Sequence, residues 1–162
     1  MAEQQTNLLS FYKGWDAYQA LLIKAIAPLS SEQLALRAAP HLRPIGENVA
    51  HITSGRVSNF HLLLGEGNAD LAPLEQWDVP GTPPRSATEL VSGLEATWQM
   101  IQMALARWTP ADLEDVFTEV QDEQTYRFTR QGIIWSTIKH DLHHGGEVSF
   151  TLGIHQVAAL DL

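Results

Sequence analysis

The sequence predicts an all-α protein: a four-helix bundle with a long connection between helices 2 and 3 and a small hairpin before helix 4. Three observations carry this. Four stretches of the chain place apolar residues at helical spacing. Two Ser-x-x-(Glu/Gln) capping boxes mark helix starts. Residues with strand preference gather in one short segment near Phe117–Thr129.

The first helix is expected over Thr6–Leu29. Leu8, Phe11, Tyr12, Trp15, Tyr18, Leu22, Ala25 and Leu29 fall on one stripe, and Pro28 marks the stop. Ser30 and Gln33 have capping-box spacing and open a short helical turn through Leu34. Pro40 and Pro44 bracket a connection that contains His41.

A second helix runs from Pro44 to Leu64, with proline in the first turn, where its missing N–H costs nothing. Its apolar residues lie on more than one face, and Gly65 and Gly67 end it. From Gly65 to Arg85 the chain reads as a long irregular connection with Pro73, Pro80, Pro83 and Pro84.

Ser86 and Glu89 form the second capping box and open a third helix to Trp108. Thr109-Pro110 starts one further turn. Phe117–Val120 and Thr125–Thr129 flank Gln121–Gln124 as a hairpin. The fourth helix is expected over Arg130–Leu152, with Ile134, Ile138 and Leu142 as its packing stripe, nearly opposite His140.

With 162 residues the chain suits one domain, residues 1–162. No cysteine occurs, which removes disulfides, thiolate ligands and a cysteine nucleophile. Ten Lys and Arg stand against nineteen Asp and Glu, a formal charge of -9, with no basic patch to neutralise phosphates. Nucleic acid and anionic membranes are therefore not expected partners. The polar start of the chain lacks a basic secretory n-region and no apolar run is long enough to span a bilayer, so a cytoplasmic location is expected.

Three of the seven histidines lie in His140-Asp-Leu-His143-His144. His140 and His144 are one turn apart on a helix and project from the same side, so two imidazoles can chelate one ion. His51 is the best third ligand, because it sits mid-helix where it has no capping role. His41, His61 and His155 read as non-ligands. Against the metal reading, a histidine-rich segment can be the solvated face of a helix, and spacing alone does not decide between the two. Glu47, one turn before His51, is a weak candidate as base or orienting carboxylate, and Asp141 and Glu147 share that ambiguity. Trp77 and Trp135 are candidates for lining a substrate pocket, with core packing as the alternative.

Two segments resemble the DinB-like superfamily, which includes the YfiT-type metal-dependent hydrolases and thiol S-transferases. Ile45-Gly-Glu-Asn-Val-Ala-His51-Ile resembles its second-helix stretch, which ends in a metal-binding histidine. Lys139-His140-Asp-Leu-His143-His144-Gly-Gly-Glu147-Val resembles its fourth-helix pattern, in which two histidines four apart precede Arg-Gly-Gln. Here Gly145 and Glu147 stand where that pattern has arginine and glutamine. The resemblance implies a three-histidine site for a divalent ion, with His51, His140 and His144 as ligands; imidazole suits zinc, nickel, iron and copper, and of these zinc or nickel is expected. Three neutral imidazoles would leave the ion able to lower the pKa of water to about 7, or to hold a low-molecular-weight thiol as thiolate. The expected partners are a small-molecule substrate and a second copy of the chain. The alternatives are a non-catalytic metal- or small-molecule-binding protein and a helical interaction module with incidental histidines.

Overall fold

The computed structural model describes residues 7–161. The polar N-terminal run and the expected helix start at Thr6 lie outside the described residues. The chain is mostly helical, with one two-stranded antiparallel hairpin.

Leu8–Tyr12 is a turn of 3-10 helix that leads into α1, Lys13–Ile26. Its inner stripe of Trp15, Tyr18, Leu22, Ala25 and Ile26 is buried, as the periodicity requires. Phe11, placed on the same stripe by the spacing, is instead 65% exposed, because the 3-10 turn rotates it off the α-helical phase. The short α2, Ser31–Leu34, has both bonds of its capping box: Ser30 Oγ accepts from the Gln33 amide, and Gln33 Oε1 accepts from the Ser30 amide.

Helix α3, Ile45–Arg56, begins after Pro44 and continues as a π-helical segment, Val57–Leu63. Gly65 and Gly67 follow with φ of +72° and +76°, the left-handed conformation that ends helices. Ile45, Val49, Ile52, Val57 and Phe60 are all fully buried, since α3 packs against α4 and α5 and the segment before α4.

That segment departs from the sequence expectation. The stretch read as irregular contains a 3-10 helix, Ala69–Asp78, packed on α3. The Asn68 side chain caps it by accepting from the Asp70 amide. Helix α4, Ala87–Arg107, starts at the Ser86–Glu89 capping box. A 3-10 turn at Pro110–Glu114 follows, then β1, Val116–Gln121, and β2, Gln124–Thr129. Asp122 and Glu123 both have positive φ, which gives the type I′ twist that closes a two-residue hairpin.

Helix α5, Arg130–Ile154, corrects the expected packing stripe. Ile134 is buried, but Leu142 is 46% exposed. The inward face instead runs through Ile133, Ile134, Thr137, Asp141, Gly145, Val148 and Leu152. Gly145 makes room there for Tyr18: a Cβ would lie 2.0 Å from its hydroxyl and force the ring to shift. Trp135 and Phe150 are also exposed.

A buried polar network ties α1, α3, α4 and α5 together. Asp141 Oδ2 accepts from Trp15 Nε1 at 2.8 Å and from Arg56 Nε at 2.9 Å. Arg56 Nη2 is 2.8 Å from the same oxygen, and neither side chain is exposed. Arg56 Nη1 also donates to the Leu94 carbonyl. Asp141, one of the ambiguous carboxylates beside the histidines, is thus a core anion.

Candidate metal centre

Helix α3 supplies His51, and α5 supplies His140 and His144 from adjacent turns. These two helices make extensive contact. The structure brings the three rings together, with centroids 4.4–4.6 Å apart. One ring nitrogen from each lies within 4.8 Å of the other two. The Nε2 atoms of His51 and His140 are 3.0 Å apart.

Two of the three Nδ1 atoms are already engaged. His51 Nδ1 donates to Asp78 Oδ2 at 2.7 Å, and His144 Nδ1 donates to Glu147 Oε2 at 2.8 Å. A carboxylate on Nδ1 fixes the tautomer and leaves Nε2 with a free lone pair. These residues therefore suit a divalent ion held by three imidazoles. The donor set is nitrogen only, which fits a transition-metal ion better than calcium or magnesium.

Close approach of the two helices depends on Gly55. A Cβ there would lie 2.6 Å from His140 Cε1, so only glycine leaves the ring its place one turn beyond His51. Gly55→Ala is expected to keep the fold, since alanine favours a helix by about 1 kcal/mol over glycine. It should nevertheless push the His140 ring off His51. Loss of the ring-to-ring nuclear Overhauser contacts would report it, and unchanged contacts would contradict it.

Burial pushes His140 down to about 4, and the neighbouring His144 and His51 act in the same direction, as does Arg56. His144 is also lowered, chiefly by burial, against the opposing pull of Glu147. Both rings are thus held neutral, the form that ligates. In the metal-free protein, the unfolded chain takes up these protons near 6.5 while folded His140 does not until about 4. Stability should therefore be full above pH 6.5 and fall as pH drops from 6.5 towards 4. Denaturant midpoints across that window measure it, and a flat or rising profile on acidification would contradict it.

The other candidates fall outside the cluster. Glu47 pairs with Arg37 at 3.8 Å on the surface, and the carboxylate on His51 is Asp78 instead. His61 Nδ1 is bonded to the Glu66 carbonyl, and His155 Nε2 to the Arg37 carbonyl. His143 is exposed and 3.5 Å from Glu147. With His144 and Glu147 it forms a second group of close donors. Trp77 packs over Gly93 and beneath the Arg85 guanidinium. Trp135 is 64% exposed. A cavity of about 360 Å³ opens at His51 and His144, and its lining includes His41 but neither tryptophan.

Sequence reasoning missed Asp78, which lies 27 residues from His51 in the stretch read as irregular. Glu147, one of the ambiguous carboxylates of the sequence, lies on His144 Nδ1, as its i,i+3 spacing on one helix face allows.

A mostly helical chain with paired helices presenting three histidines defines a class of helical proteins with a candidate metal site. The DinB superfamily model matches residues 15–148. The chain belongs to the DinB superfamily. Its fold is similar to that of a DinB-like protein from Bacillus cereus ATCC 10987, with a TM-score of 0.71 and 20% sequence identity over 98% of this chain and 99% of that one. No curated protein sequence matches the chain. Among the described residues no helix is long and apolar enough to cross a membrane.

Proposed function

We propose that the chain is a metal-dependent enzyme of four-helix-bundle type, with His51, His140 and His144 holding one zinc or nickel ion, and that it acts on a small molecule as a thiol S-transferase or hydrolase. The observation that carries this reading is the pair of carboxylate-bound Nδ1 atoms, on His51 and His144, in a group of three rings that each offer a nitrogen within 4.8 Å of the other two. Incidental surface histidines have no need of such fixed tautomers. When bound, the ion would supply a Lewis acid for polarising an electrophile and for holding water or a thiol in its deprotonated form.

The chain's own residues would do the rest. Asp78 and Glu147 hold two rings in register and raise their basicity as ligands. The low proton affinity of His140 keeps that ring free for ligation down to mildly acidic pH. The cavity beside His51 and His144 gives a small molecule access from one side, between α3, α5 and the segment around His41–Arg43.

Asp78→Ala is expected to weaken metal binding by roughly 10- to 100-fold without removing a ligand. Competition with a chromogenic chelator measures it, and an unchanged affinity would mean that Asp78 does not orient His51. The activity is tested by giving metal-loaded protein a panel of low-molecular-weight thiols with an electrophile, and separately ester and amide substrates. Turnover that disappears on chelation supports the enzyme reading. Silence across the panel would favour a non-catalytic binding protein.

A further inference from the structure

We propose that Arg43 and Asn48 form an anion subsite beside the three histidines, so that the molecule acted on is a small carboxylate with an apolar segment. This rests on the metal-site reading above and adds a substrate class to it.

The cavity at the histidines is lined by His51, His144, Asn48, Arg43, Leu42 and Phe150, among others. Its volume of about 360 Å³ lies at the small end of ligand pockets. Its one acidic lining residue, Glu147, is occupied by His144 at 2.8 Å and His143 at 3.5 Å. The lining cation is Arg43, on a chain whose acids outnumber its Lys and Arg by nineteen to ten. Arg43 and Glu147 therefore balance in the cavity, one cation to one anion, where the chain as a whole is acidic. An ion held by three neutral imidazoles would tip that balance to positive, because no ligand carries charge to offset it.

Arg43 is not consumed by the protein. Among the described residues its ion pair is with Asp78 Oδ1, at the long distance of 3.5 Å, and its side chain stays 43% exposed. Asp78 meanwhile spends its other oxygen on His51. The guanidinium thus sits one carboxylate away from a ligand ring, with N–H donors left for a planar anion.

Asn48 is the independent observation. It is only 4% exposed, yet its Oδ1 has no hydrogen-bond partner among the described residues. It lies three residues before His51 on α3, so both side chains project to the same side and both line the cavity. A buried amide oxygen without a donor is uncommon and calls for an N–H or O–H. With the amide turned about its Cβ–Cγ bond, the NH2 takes that place instead and can donate to a carboxylate. The exposed rings and chains of Phe150 and Leu42 supply the apolar wall for the rest of the molecule.

The test uses two hydroxamates with the same metal-binding head and nearly the same length. One ends in a carboxylate (succinate monohydroxamate), and the other ends in methyl (butanohydroxamate). Both are titrated calorimetrically into the zinc-loaded protein and its Arg43→Ala and Asn48→Ala variants, with metal content measured in each. The carboxylate probe should bind the unmodified protein about tenfold or more tightly than the methyl probe, as a charge-assisted contact gives. Arg43→Ala should bring that ratio close to one, and Asn48→Ala should reduce it about fivefold, both with metal content unchanged. If Arg43 served only to brace Asp78, both probes would weaken together and the ratio would persist, which would overturn the subsite. Equal binding of the two probes to the unmodified protein would overturn the subsite while leaving the metal site standing. Failure of both probes to bind, with no retained zinc, would overturn the metal reading and the subsite with it.

Discussion

Replacing His144 with alanine is expected to abolish metal retention while leaving the helices folded. Removing a ligand should cost more than the roughly 100-fold that loss of a supporting carboxylate can cost. The fold should survive because α5 is held by other residues: Ile133, Ile134, Thr137, Val148 and Leu152 are all buried, and His144 is only partly so. Glu147, released from His144, can turn to solvent or to His143. Circular dichroism and a melting curve test the fold, and metal content after gel filtration tests the site. Full retention of one ion per chain by the variant would move the site away from His144. Collapse of the helical signal would show that the residue serves the fold.

The second large effect lies in the core. Asp141→Ala should destabilise the protein by about 3–5 kcal/mol, since it leaves the Arg56 guanidinium buried with no counter-charge. It also strips the Trp15 indole of its acceptor. For a chain of this size that corresponds to a melting temperature lower by roughly 10 °C or more. The double variant Arg56→Met with Asp141→Leu should recover most of the loss, because an apolar pair of similar volume carries no desolvation penalty. Equal losses in the single and double variants would show that packing, not the stranded charge, sets the cost.

Much of this architecture was legible locally. The Ser30–Gln33 and Ser86–Glu89 boxes are complete within four residues, and both start helices as expected. The stripe of Trp15, Tyr18, Leu22 and Ala25 also needs nothing beyond its own periodicity. The hairpin was legible from the strand preference of its two arms.

What failed was the reading of which way a mixed face points. The inward face of α5 contains Thr137, Asp141 and Gly145, so a search for apolar residues ended on the exposed Leu142, although Ile134 and Ile138 do pack on the core. Those inward residues are paid for by partners far away in sequence: Trp15 and Arg56 for Asp141, Tyr18 for Gly145, and Asn59 for Thr137. An arginine in mid-helix reads as a surface residue, and only the fold shows Arg56 to be fully buried.

The candidate site divides the same way. His140 and His144 are a local pair, readable from their spacing. Bringing His51 to them relied on family resemblance in the sequence and on α3–α5 packing in the structure. Asp78 was illegible because Pro73 and the absence of an apolar stripe hid the 3-10 helix that carries it. Glu47 looked equivalent to an orienting carboxylate because it is one turn from His51. Its side chain instead reaches outward to Arg37.

The most direct test of the central claim is anomalous diffraction at the zinc edge from crystals of protein purified without a histidine tag and loaded with one equivalent of zinc. The account predicts a single peak within about 2.0–2.1 Å of one ring nitrogen from each of His51, His140 and His144. A peak at His143, His144 and Glu147 instead, or no peak at the three rings, would contradict it.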